Sequence, residues 1–310
     1  MKGKDKHPKT AVMDSADKAM VSISKDQQRS NQRQEYQMDL DLYDEIGTCF
    51  LVQKAIHSLL KRNVKQSINT LLLGPTGVGK TELVANIAEE LQLPLTIFDM
   101  GTMTDPIISI VGTHVIEVKD GIATSTFKRS RFSSVIQSPG IVLLDEISRS
   151  SAAANNLLFP CLDFRRSLAM EYDFVNSESI AIHPDCVFIA TANLGSQYTG
   201  THKLDKALLD RFMSIEIDPL PAQAVKRITS VHFPGLKPAE VETIVDSFCA
   251  INKAHEEYKV SFSLSIRHLK LISKMVEDGF TIYDSFYMIC KGLGNKDGAD
   301  AISEMFDSIR

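Results

Sequence analysis

"GPTGVGKT", residues 74–81, decides the fold of this chain. The spacing is G-x-x-x-x-G-K-[ST], and both flanks suit it. The apolar run "NTLLLG" (69–74) precedes it as a buried-strand candidate, and the helical pattern "KTELVANIAEEL" (80–91) follows. Gly74, Gly77 and Gly79 let the backbone turn tightly, so that successive N–H groups face an anion. A helix beginning there presents its positive end to the same anion. Lys80 supplies a point charge for the β- and γ-phosphates, and the Thr81 hydroxyl is a magnesium ligand. With Pro75, Thr76 and Val78 completing the loop, residues 74–81 are the expected cradle for a polyphosphate. A glycine-rich turn that merely carries a lysine would not need a strand before it and a helix after it.

Working outward, further apolar runs alternate with helical patterns. "LTIFDM" (95–100), "GIVLLDEI" (140–147) and "CVFIATAN" (186–193) read as buried strands. Continuous apolar strands separated by helices predict a parallel sheet covered on both faces, an α/β fold. Ligands of such sheets bind at the C-terminal strand ends. "IVLLDEI" brings Asp145 to such an end, where it can hold magnesium. Glu146 beside it can polarise an attacking water as general base. Asn193 ends its own apolar strand in the same way and is expected to orient the water or contact the γ-phosphate. An asparagine capping the following loop is the bland alternative.

After Pro219 and Pro221 the pattern becomes helical, with helices expected over 222–232, 237–258, 264–277, 281–291 and 297–308. An α/β domain at 39–219 followed by a small helical lid at 220–310 is the economical division. A helix is also expected from about Tyr43 to Lys61. Residues 1–38 hold eight Lys/Arg against five Asp/Glu and few apolar residues. They are expected to form a flexible or disordered arm, because they bury too little to offset chain entropy.

The whole chain has 310 residues and a formal net charge of −5, so its total charge announces neither nucleic acid nor a membrane surface. Cys49, Cys161, Cys186, Cys249 and Cys290 are widely spaced. They read as small apolar residues in a reducing compartment rather than a disulfide or zinc framework. The eight histidines show no ligand spacing either. No apolar run approaches membrane-spanning length, and the N-terminus does not resemble a signal peptide. A cytoplasmic location is expected.

"KLDKALLDRF" (203–212) carries an apolar stripe at Leu204, Ala207, Leu208 and Phe212. Arg211 beside it reads either as a solvated helix-end cation or as a group aimed at a neighbouring molecule. Composition does not choose between them.

Taken together these residues resemble the AAA+ ATPases over roughly 40–290. "GPTGVGKT" is similar to the Walker A motif, "IVLLDEI" to Walker B with its catalytic glutamate, and Asn193 to sensor 1. "LDKALLDRF" resembles the segment carrying the arginine finger. "SLSIRHLKLI" (263–272) resembles the sensor 2 helix, with Arg267 as the sensor. The resemblance implies ATP and Mg2+ as cofactors. It also implies that Arg211 projects into an adjacent subunit's site, and hence a homo-oligomer, most simply a hexameric ring. "VKDGIATSTF" alternates around Asp120-Gly121 as a hairpin inside the insertion 112–138, and a second hairpin is expected in 168–186. This pair resembles the helix-2 insert group, notably MoxR-like and dynein-related ATPases and the cobaltochelatase small-subunit relatives.

The function implied is ATP-driven remodelling, assembly or activation of a protein client, with a von Willebrand A-type protein as a partner such relatives use. The rival reading is a nucleic-acid motor or restriction-type nucleotidase. The basic cluster Lys128, Arg129 and Arg131, with Phe127 and Phe132, is its chief support. Arg165 and Arg166 read as a solvated helix end, with a pore or substrate role as the alternative.

Overall fold

A computed structural model describes residues 42–47, 49–119, 122–171, 173, 178–193 and 205–309. The expected arm at 1–38, the Asp120-Gly121 turn and residues 194–204 lie outside them. Two short strands come first, β1 (Tyr43–Ile46) and β2 (Phe50–Gln53), paired antiparallel. They are followed by α1 (Lys54–Lys65), β3 (Thr70–Gly74), α2 (Lys80–Glu90) and β4 (Leu95–Asp99).

A π-helical turn over Ile107–Val111 leads into β5 (Gly112–Lys119) and β6 (Ile122–Arg129), then α3 (Arg131–Val135). Next come β7 (Gly140–Asp145), α4 (Ala152–Leu162), β8 (Ser167–Leu168), β9 (Ile180–Ala181) and β10 (Cys186–Asn193). After α5 (Lys206–Leu209) and β11 (Met213–Glu216) the remaining described elements are helices. These are α6 (Ala222–His232), α7 (Pro238–Glu256), α8 (Ile266–Glu277) and α9 (Ile282–Ile309).

The main sheet has the order β11-β3-β10-β7-β4, and every pairing in it is parallel. Alternation along its central strands fills two cores at once. Leu71, Val142, Leu144, Phe188 and Ala190 point to one face, where Phe132, Ile136, Leu158 and Leu162 cover them. Leu72, Ile141, Leu143, Val187 and Ile189 point to the other, beneath Ile56, Leu60, Leu83, Val84 and Ile87 of α1 and α2. Both faces are therefore dry, which is why these strands read as unbroken apolar runs. The four C-terminal helices enclose a third cluster centred on Val241, Ile244, Phe248, Leu269, Ile272 and Phe286.

Three expectations needed correction. The helix expected over 43–61 is a hairpin followed by a shorter helix. Gly47 (φ 54°) and Cys49 (φ 61°) take left-handed backbone that reverses the chain between β1 and β2. β11 was not anticipated, since "MSIE" is short and only half apolar; it becomes a strand by pairing with the edge of β3. The break expected over 292–296 does not occur, and α9 runs through both expected helices. Its Gly294 serves close packing, since a Cβ there would stand 2.5 Å from the Phe262 ring.

Both expected hairpins are present. β5 and β6 pair from Gly112↔Arg129 to Lys119↔Ile122, and β8 pairs with β9. The larger hairpin interrupts a helix: Ser130 N–H donates to Val111 O (3.1 Å), and Ser130 Oγ to Ile110 O (2.6 Å). The chain thus rejoins the point it left. Ser130 also caps α3 by accepting from Ser133 N (3.0 Å).

Candidate functional site

Parallel register brings three chemical groups to one edge. Asn193 lies opposite Gly74, and Asp99 opposite Asp145, so β3, β10, β7 and β4 end together. The loop that follows β3 wraps this edge. Gly77 (φ 81°) and Gly79 (φ 89°) sit in left-handed backbone. A side chain at Gly79 would also meet the Phe50 ring at 2.7 Å, and one at Gly77 would meet Ser265 Cβ at 2.4 Å. The loop is therefore pinned between the β1–β2 hairpin and the start of α8.

Lys80 opens α2 and turns inward, 8% exposed. Its ammonium donates to Gly74 O (3.0 Å), Pro75 O (2.8 Å) and Asn193 Oδ1 (2.9 Å). Burial pushes its pKa down to about 8, while Asp145 and Glu146 pull it back up. Thr81 Oγ1 lies 3.1 Å from both Asp145 carboxylate oxygens.

The neighbouring strand steadies this acid pair. Thr191 Oγ1 donates to Asp145 Oδ1 (2.5 Å) and accepts from Glu146 N–H (3.0 Å). Glu146 itself is left-handed (φ 53°), an uncommon state for a residue with a side chain, and its carboxylate meets Arg149 Nε at 3.0 Å.

Lys80, Thr81, Asp145, Glu146, Thr191 and Asn193 line one cavity of about 170 Å³ together with Thr76, Val78 and, from α8, Ile266 and Arg267. Phe50, Leu51, Leu220 and Ile228 give it an apolar lining as well. The sequence-based candidates from Thr76 to Thr81, with Asp145, Glu146, Asn193 and Arg267, all reach this cavity. Gly74 and Pro75 do not line it; their carbonyls hold Lys80. Arg211 does not line it. It lies over the Phe159 ring (4.6 Å to the centroid), donates from Nη1 to Ala207 O (2.5 Å), and stands 3.7 Å from Asp163 Oδ2. Its Nε is buried without a hydrogen-bond partner.

Sequence reasoning missed Thr191, Arg149, His232 and Lys270. Thr191 had a legible signal, because it lies two residues before Asn193 on the same strand face. The others are brought in by tertiary packing. His232 and Lys270 line the cavity from α6 and α8. The expected solvated pair Arg165–Arg166 divides. Arg165 is exposed and chelates Asp163 (Nη2–Oδ2 2.6 Å), whereas Arg166 donates to His183 O (3.1 Å) and Cys186 O (2.5 Å) above the Phe188 ring.

Comparisons with known proteins agree with this geometry. Residues 69–212 match the family model described as AAA domain (dynein-related subfamily). The chain is 29% identical over 234 residues to BssE of Thauera aromatica, named as a candidate chaperone; the match covers 74% of this chain and 77% of that one. It is 30% identical over 182 residues to an uncharacterized protein of Staphylococcus epidermidis, covering 58% of this chain and 64% of that one. Among solved structures, a RuvB mutant of Thermotoga maritima superposes with a TM-score of 0.50 at 17% identity, over 81% of this chain and 72% of that one, a likeness of fold. No helix among the described residues is long and apolar enough to cross a membrane. The phosphate-loop turn and the acid pair beside it thus lie within the stretch, residues 69–212, that matches the dynein-related AAA domain.

Proposed function

We propose that this chain is a magnesium-dependent, ring-forming ATPase of the MoxR-like kind that remodels, assembles or activates a protein client. The position of Arg211 carries the reading: every other catalytic candidate reaches the chain's own cavity, while Arg211 is held elsewhere against Phe159 and Asp163. An arginine that stabilises phosphoryl-transfer charge is worth orders of magnitude in rate. Here a neighbouring subunit would have to supply it.

In this reading residues 39–219 form the ATPase domain and 220–310 the lid. Gly74 to Thr81 cradle the phosphates, Glu146 activates water, Asn193 positions it and Arg267 senses the γ-phosphate. The converging oxygens of Thr81 and Asp145 suit a hard divalent cation. Those two residues would hold Mg2+, which supplies charge neutralisation at the phosphates. The candidate-chaperone name of the Thauera relative supports a protein client, and the family resemblance supports a von Willebrand A-type partner. The exposed Lys128 and Arg129 at the foot of the β5–β6 hairpin favour the second reading, a nucleic-acid motor.

Mixing two inactive variants tests the ring. Arg211→Ala subunits keep an intact site, and Glu146→Gln subunits keep an intact finger. Mixed oligomers, verified by native mass spectrometry, should recover part of the ATPase. Mixed oligomers without recovery would refute a finger acting in trans. Stimulation of turnover by DNA or RNA, rather than by a von Willebrand A-type protein, would transfer the assignment to the second reading.

A further inference from the structure

The lid offers the nucleotide cavity two cations where the family resemblance supplied one. Arg267 and Lys270 stand three residues apart on α8, on one face of the helix, and both line the cavity. Neither has a hydrogen bond or ion pair among the described residues. Both are therefore free to meet an anion that enters the cavity.

Their order relative to the phosphate loop follows from one contact. The start of α8 rests on the phosphate loop, since Ser265 Cβ occupies the space a side chain at Gly77 would need. Arg267, in the first turn, is therefore the nearer of the two to the loop. Lys270 stands about 4.5 Å further along the axis, at 1.5 Å per residue. Its charge reaches Cys49 in the β1–β2 connection and His232 at the end of α6. Phe50, Leu51 and Ile228 add apolar lining to the same cavity, with the Phe50 ring against Gly79 of the loop. Glu82, Asp145 and Glu146 are the acids that line the same cavity, and Glu82 also influences His232. Burial and Lys270 hold the His232 pKa below its ordinary value, against the opposing pull of Glu82.

We infer that Lys270 is a second anion-contacting residue of the lid, which binds the inner phosphates common to ATP and ADP while Arg267 attends to the terminal phosphate. The inference rests on the nucleotide occupying this cavity, and the division of labour is its new content. ADP would then keep the lid engaged through Lys270 after hydrolysis, so that loss of the γ-phosphate releases only the Arg267 contact.

Binding of ATP, ADP and adenosine to the full-length chain, measured by calorimetry for wild type, Lys270→Gln, Lys270→Arg and Arg267→Ala, tests this. Lys270→Gln should weaken ATP and ADP alike, on the order of tenfold for one lost charge-assisted contact. It should leave adenosine unchanged, and Lys270→Arg should restore most of the loss. Arg267→Ala should weaken ATP more than ADP. Affinities within twofold of wild type in Lys270→Gln, a penalty confined to ATP, or an equal penalty with adenosine would each overturn the assignment. Thermal unfolding without nucleotide guards against misfolding, and Lys270→Arg keeps the test open if Lys270→Gln is unstable. Lys80→Ala separates the failures: unchanged nucleotide binding there would refute the cavity itself, not the role of Lys270.

Discussion

Lys80 carries its charge into a site nearly closed to water, and the cost should appear as a pH dependence of stability. It is 8% exposed, and its three acceptors are two backbone carbonyls and the Asn193 amide oxygen. Burial moves its pKa from 10.5 to about 8 despite Asp145 and Glu146. At about 1.4 kcal/mol per unit, the charged lysine costs the folded chain roughly 3 kcal/mol near neutral pH. For a cation whose folded pKa is depressed, the unfolded chain binds the proton more tightly. The cost is thus fully present below about pH 8 and fades as pH rises toward 10.5.

A polyphosphate reverses the balance. By raising the lysine pKa it gains affinity that is complete below about pH 8. That affinity is lost, roughly tenfold per pH unit, until the pKa of the complex is reached.

The assay is chemical denaturation of wild type and Lys80→Met without nucleotide from pH 7 to pH 10, with ATP isotherms on the wild type across the same range. Cysteines and tyrosines titrate in both proteins and cancel in the difference. Wild type should gain roughly 2 kcal/mol on the variant between pH 7 and pH 10. Parallel stability curves would refute the claim that the Lys80 charge is held under strain. ATP affinity flat from pH 7 to pH 10 would refute its role as the phosphate cation.

Glu146→Gln should bind ATP normally but lose about two to four orders of magnitude in turnover, the usual worth of a general base; single-turnover hydrolysis at the wild-type rate would remove Glu146 from that role. Gly77→Ala should cost at least about 1–2 kcal/mol, because the residue is left-handed and its new methyl would strike Ser265 Cβ from 2.4 Å. It should also lift α8 off the loop, so that denaturation and ATP-against-ADP affinities change together; a stable variant with unaltered discrimination would deny the loop-to-lid contact.

How much of this was readable in advance depended on the range of the interaction that fixes each residue. The phosphate loop was legible because spacing within eight residues sets its backbone, and the strands around it because burial on both faces leaves an unbroken apolar run. Asp145, Glu146 and Asn193 followed, since an apolar strand that ends in a polar residue points to the sheet edge. The hairpin at 43–53 was misread because its reversal depends on two left-handed residues within an otherwise helix-like apolar pattern. β11 was invisible because four ordinary residues become a strand only when β3 offers an edge.

The same boundary runs through the site. Sequence by itself determined that a tight glycine loop at 74–81 joins a buried strand to a helix beside an acid pair, because local spacing and strand burial suffice for that. Only the tertiary structure decided that Thr191 locks Asp145 and Glu146, that Arg149 meets Glu146, that Arg211 is held away from its own cavity, and that Lys270 lines that cavity. Each of these depends on side chains from separate elements meeting across a packed interface, and no periodicity along the chain encodes which ones will meet.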